Sequence, residues 1–128
     1  KLTVLQECRR VISADGRMCF TVIRLADSLK GTAMKRALQA GPEFIRGDSE
    51  YPAMLLSAGW QVIRQDDITE AFCNSIERMI GAEEDKNDAL RTLRGDEAYE
   101  KAQVDWQYKL QAAAERLILR ESFTVVPA

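Results

Sequence analysis

Apolar positions recur along the chain with two different periods, and each change of period marks an element. Leu2, Leu5, Cys8 and Val11, with Val4 and Ile12 beside them, follow helical spacing, while Glu7, Arg9 and Arg10 fall on the polar side. Asp15-Gly16 breaks that pattern, and residues 17–23 follow as a short, almost wholly apolar run with a β-branched end. Such a run predicts a strand buried on both faces. Residues 28–40 predict a helix with Leu29, Ala33, Met34, Ala37 and Leu38 on one face, closed by Gly41-Pro42. After a loop over 43–50, Ser49 is the expected N-cap of a short helix. That helix carries Pro52 in its first turn, places Met54, Leu55 and Ala58 inward, and ends at Gly59.

Residues 60–65 predict a second strand, ended by Asp66-Asp67-Ile68-Thr69. Thr69 is the expected cap of a helix with an apolar stripe of Phe72, Ile76, Met79 and Ile80. Residues 81–88 read as a polar interruption, and 89–93 as a further turn or two before Gly95. A long helix is expected from 96 toward 119, because Tyr99, Ala102, Trp106, Leu110, Ala113 and Leu117 recur at spacings of three and four. Residues 122–126 predict a third strand, which Pro127 stops. Helix, strand, helices, strand, helices, strand is an α/β order.

Composition narrows this picture only slightly. The 128 residues fit one domain or a large part of one, and 46% hydrophobic with 30% charged residues is ordinary for a folded globular chain. A net charge of −2 argues against a phosphate-backbone binder, so no nucleic acid partner is expected. Lys1 precedes the first periodic run without a capping residue or turn signal, which suggests a cut edge rather than a native start.

Cys8, Cys19 and Cys73 are widely spaced among apolar neighbours and form no CxxC pair. They read as buried, reduced cysteines of a cytoplasmic protein, and no metal site is expected. The absence of histidine removes every Ser–His or Cys–His nucleophile and the commonest general base. No apolar run approaches the roughly 20 residues of a membrane span, and no signal peptide opens the chain.

The segment from Leu5 through Glu7, Arg10, Val11 and Ile12 to Gly16 and Phe20 resembles a stretch of class I S-adenosylmethionine-dependent methyltransferases. There, a helix with a Glu-x-x-Arg-Val-Leu-like pattern runs through a glycine turn into the fifth strand of a Rossmann-like sheet. Tyr51 to Leu56, then Ser57-Ala58-Gly59-Trp60 and Asp66-Asp67-Ile68-Thr69, look like that family's next helix and sixth strand. Residues 121–128 are similar to the seventh, which lies antiparallel between the other two. Ala14-Asp15 stands where the family often has proline, and Trp60 where phenylalanine is usual.

The resemblance implies an α/β fold: the C-terminal portion of such a sheet, with three strands, the last antiparallel, and flanking helices. Residues 1–128 would then be one partial domain lacking the half that holds the cofactor. In this family S-adenosylmethionine sits against a glycine-rich loop after the first strand, with an acidic residue ending the second. Gly16, Gly31, Gly41, Gly47, Gly59, Gly81 and Gly95 are all isolated here, so no cofactor-binding residue is expected within this chain.

Open α/β sheets place ligands beyond the carboxyl ends of their strands, which directs attention to residues 24–44. The resemblance implies that this segment lines the acceptor pocket, with Arg24 for an anionic group and Phe44, Ile45 and Tyr51 as apolar walls. Other clusters have plainer readings. Asp66-Asp67 suits a base or metal ligand but equally a helix cap or solvated strand end. Glu83-Glu84-Asp85 suits a cation or a solvated helix end. Tyr99 and Trp106 suit a ligand box or a core.

The function implied is methyl transfer to a small or medium-sized acceptor, by a complete enzyme of which this chain alone would be inactive. The alternatives are a non-catalytic α/β partner stabilising another subunit and an all-helical interaction module. The expected partners are an N-terminal half or a second copy, as a dimer, since the family's fourth strand would otherwise cover the edge of the 17–23 strand.

Overall fold

The computed structural model describes residues 1–43, 45–46 and 50–128; the expectations for Phe44 and for a Ser49 cap lie outside the described residues. The elements are α1 (Leu2–Val11), β1 (Met18–Leu25), α2 (Gly31–Ala40), α3 (Tyr51–Ser57), β2 (Trp60–Asp67), α4 (Thr69–Asp85), α5 (Asn87–Arg94), α6 (Asp96–Ala114) and β3 (Ile118–Pro127). One sheet has the order β1-β3-β2, with β3 antiparallel to both neighbours. β1 and β2 therefore point the same way without touching, the arrangement the resemblance implies.

Each face of the sheet buries its own core. Along β1 and β3, Phe20 stands opposite Phe123 and Val22 opposite Glu121. On that face α1 and α3 pack Leu5, Met54 and Leu55 against Val22, Phe123 and Val125. Trp60, 1% exposed, joins them, and its Nε1 donates to the Leu5 carbonyl at 2.9 Å, so the largest buried side chain leaves no polar atom unpaired. On the other face α2, α4 and α6 pack Ala37, Ala40, Ile76, Ala112 and Ala113 near Ile118. The small side chains let helix backbones approach closely. Gly59 turns α3 into β2 at φ +83, a conformation that a β-carbon would strain.

Several local expectations change in tertiary context. β1 is covered on one face only along its first half, because Cys19 and Thr21 are exposed on the other. None of the three cysteines is buried: Cys8 and Cys73 are intermediate, Cys19 is exposed, and all are free. The helix expected from Ser28 starts at Gly31, since Ser28 takes φ 60. Thr69 is not a cap but the first helical residue; its N–H donates to Asp67 Oδ1 at 2.9 Å, so Asp67 performs the capping.

No break occurs at Gly81. α4 runs on to Asp85 because Ile76, Ile80 and Glu83 keep one face buried through that turn, while Met79 points to solvent. The last helix stops at Ala114, short of 119, where Arg116 at φ 57 reverses the chain. Ile118 and Leu119 are thereby paired with Leu25 and Arg24 instead of extending a helical stripe. Of the first helix, Leu5 is buried and Cys8 partly so, while Leu2, Val4 and Val11 are exposed.

Candidate functional site

A cleft of about 370 Å³ opens at the carboxyl ends of β1 and β2, bounded by Arg24, Ile45, Tyr51, Gln65, Glu121 and Lys1. Three of the four residues singled out from sequence, Arg24, Ile45 and Tyr51, thus meet at one place; Phe44 is outside the described residues. β1 delivers Arg24, the segment leading away from α2 delivers Ile45, and the first turn of α3 delivers Tyr51.

Arg24 is already engaged. Its Nε donates to Glu121 Oε1 at 2.8 Å, and its Nη1 to the Leu25 carbonyl at 3.1 Å and Asp27 Oδ1 at 3.4 Å. Burial alone would lower the Arg24 pKa, but the hydrogen bond and charge of Glu121, aided by Asp27 and Glu50, raise it above the ordinary arginine value. Glu121 is 7% exposed on the inward side of β3. A carboxylate so desolvated requires a partner, and breaking such a pair from one side is costly. Tyr51 lies against the rings of Phe20 and Phe123, at centroid distances of 6.2 and 5.9 Å, and burial pushes its phenol pKa up.

The sequence matches no protein-family model and no curated protein. Solved structures do match. A protein described as a sarcosine dimethylglycine methyltransferase from Galdieria sulphuraria superposes with a TM-score of 0.79 at 13% identity, over 98% of this chain and 46% of that one. Phosphoethanolamine N-methyltransferase 2 of Haemonchus contortus, in complex with S-adenosyl-L-methionine, gives 0.80 at 14% over 99% and 30%. The cyclopropane synthase MmaA2 of Mycobacterium tuberculosis gives 0.78 at 12% over 98% and 49%. This is the fold of the C-terminal portion of a class I methyltransferase. The chain spans half or less of the length of each of these three proteins.

A methyltransferase cofactor cradle needs glycines at a strand-to-helix loop beyond a carboxyl strand end, close enough to the ligand that a β-carbon would collide with it. Among the described glycines, Gly31 is the one that follows a carboxyl strand end, opening α2 after β1 at φ +55. Gly59 sits at the amino end of β2 beside Arg9, Gly41 packs on Ile45, Gly16 packs on Ile12, and Gly31, Gly81 and Gly95 face open space.

The remaining clusters serve the methyltransferase fold. Asp67 accepts from the Thr69 N–H and hydroxyl and pairs with Arg116, while Asp66 pairs with Arg64 at 2.6 Å. The Thr69 hydroxyl, then Arg116 and the Thr69 amide, hold the Asp67 carboxyl down to about 2. Glu83, 9% exposed, accepts from Gln103 at 3.2 Å and Arg94 at 3.5 Å, and its carbonyl accepts from the buried Tyr99 hydroxyl. Trp106 packs on the core beside α4. Among the described residues, no three potential metal ligands converge and no helix is long and apolar enough to cross a membrane.

Glu121 and Lys1 were not singled out from sequence. Glu121 was legible in part: it alternates with Leu119, Phe123 and Val125, so it sits at an inward position of an apolar strand. Lys1 carried no signal, because its place at the cleft comes from the packing of α1 on α3.

Proposed function

We propose that this chain is the acceptor-side half of an S-adenosylmethionine-dependent methyltransferase for a small or medium-sized acceptor. One observation carries the reading: the cleft lies at the carboxyl ends of two parallel strands, where open α/β sheets bind ligands, and beside the outer edge of β1, which pairs with no strand among the described residues. A cofactor-holding half would add its strands at that edge, placing the cofactor next to the cleft. Ile45 and Tyr51 then wall the acceptor. Arg24, braced by Glu121, fixes the rim and offers its remaining N–H groups to an anionic group of the acceptor.

Methyl transfer depends chiefly on alignment of donor and acceptor, so a histidine-free half suits that chemistry. The proposed setting is the cytoplasm, with no nucleic acid partner. By itself the chain lacks the cofactor cradle and is inactive. Without the other half its β1 edge pairs with another copy, giving a symmetric dimer.

The test is calorimetry of S-adenosylmethionine with this chain alone and with the chain joined to the sequence its gene encodes before Lys1. Transfer of an isotope-labelled methyl group is followed in parallel. Binding and transfer are expected only in the joined protein. Micromolar binding to this chain alone, or an upstream sequence without a glycine-rich loop and acidic strand end, overturns the reading.

A further inference from the structure

We infer that the cleft contains an ammonium subsite, formed by the Tyr51 ring and the Ile45 carbonyl, which the Lys1 side chain fills in the free chain. The Lys1 Nζ donates to the Ile45 carbonyl oxygen at 3.1 Å and lies 5.6 Å from the centroid of the Tyr51 ring. Those are the two contacts that recognise an alkylammonium group: a carbonyl acceptor for an N–H, and an aromatic face for the charge.

Both halves of the subsite are held independently of Lys1. Phe20 and Phe123 flank the Tyr51 ring. Ile45 is 9% exposed, its side chain packs into the α2–α4–α6 core, and its N–H donates to the Pro42 carbonyl at 3.2 Å. The occupant is less firmly fixed. Lys1 is an exposed residue ahead of α1, makes no side-chain cap bond, and reaches the site on a flexible four-carbon stem.

Charge favours a cation in its place. Among the described residues, the charged side chains around the cleft are those of Lys1, Arg24 and Arg46 against Asp27, Glu50 and Glu121, three of each sign. With the Lys1 side chain swung out, two side-chain cations face three carboxylates among the described residues, and Arg24 is bonded to two of those. An amine-bearing acceptor can therefore replace the lysine ammonium charge for charge. The acceptor class is a primary or partly methylated amine, because the carbonyl contact needs an N–H. This assignment rests on the cleft being the acceptor pocket.

The test is an NMR titration of the full 128-residue chain with methylammonium chloride, against potassium chloride at equal ionic strength, following the Ile45 amide and Tyr51 ring signals. Saturable shifts at both residues with methylammonium only are expected. Lys1→Met should tighten binding at least about threefold by removing the competitor, and Tyr51→Leu should weaken it by a similar factor. Equal response to potassium, no saturable shift in Lys1→Met, or weaker binding in Lys1→Met overturns the subsite. Failure of methyl transfer by the joined protein with ammonium binding intact would sink the enzyme reading and leave the subsite standing.

Discussion

Along its length β2 carries Arg64, Asp66 and Asp67 and a register shift between Val62 and Arg64, whereas β1 presents six uncharged residues from Met18 to Ile23. Both are outer strands of the same sheet, each paired only with β3 among the described residues. Charges and bulges are the devices by which a sheet stops adding strands. β2 has them. β1 has none before Arg24, and among the described residues the segment holding Pro42 and Ile45 lies beside it from Thr21 on. The difference teaches which side of the sheet is finished. The cleft spans the strand ends from Gln65 to Arg24 and Leu25, so a strand added at β1 would come to rest beside it.

The largest effect should come from cutting the inner anchor of the finished side. Trp60→Ala removes a fully buried indole and the bond to the Leu5 carbonyl, and should destabilise by about 3–5 kcal/mol in urea unfolding. A loss below about 1 kcal/mol would show that β2 is not fastened to α1 through this residue.

A charge placed on the open edge should act on association rather than stability. Cys19 is exposed, and Cys19→Lys should weaken self-association of the chain about tenfold by light scattering, with little change in the unfolding midpoint. Gln61→Lys, exposed on β2, is the control and should change association by less than about twofold. Equal effects at the two positions, or a monomer at every concentration of the parent chain, would erase the distinction between the edges.

Acid should loosen the β2 end next. The folded Asp67 carboxyl titrates at about 2, against an ordinary value of 3.8. Its stabilising effect is therefore complete above about pH 4 and is lost as pH falls toward 2. The side chain is 45% exposed, so solvent screening limits the effect to about 1 kcal/mol. Asp67→Ala should lose that amount at neutral pH and show a flatter stability profile between pH 4 and 2 than the parent. Parallel profiles for the two proteins would mean that another carboxylate governs the acid limb.

The smallest change is expected from the Arg64–Asp66 pair, at 2.6 Å but with side chains 72% and 40% exposed. Arg64→Ala should shift stability by less than about 0.5 kcal/mol. A larger loss would give this ion pair a structural role beyond blunting the edge.

Much of this architecture was legible from periodicity. Residues 60–65 and 122–126 lie within observed strands, and so does the 17–23 run from Met18 on, since β-branched and aromatic runs between turn residues have few other uses. The order β1-β3-β2 followed from resemblance to the methyltransferase sheet, not from spacing. Three of four proposed cleft residues converge because the topology brings the end of β1, the segment after α2 and the start of α3 to the same sheet end.

What the chain determined locally was the type of each element: apolar period, glycine turns and Pro52 fix that within a few residues of sequence. Tertiary structure decided the boundaries and the pairings. α4 passes through Gly81 because its neighbours bury one face, and α6 stops at Ala114 because Ile118 and Leu119 gain more as strand partners of Leu25 and Arg24. The pairing of Glu121 with Arg24 and of Lys1 with Ile45 joins residues about 100 and 44 positions apart. No local pattern encodes such contacts, because burial and charge compensation arise only when distant segments share one desolvated space.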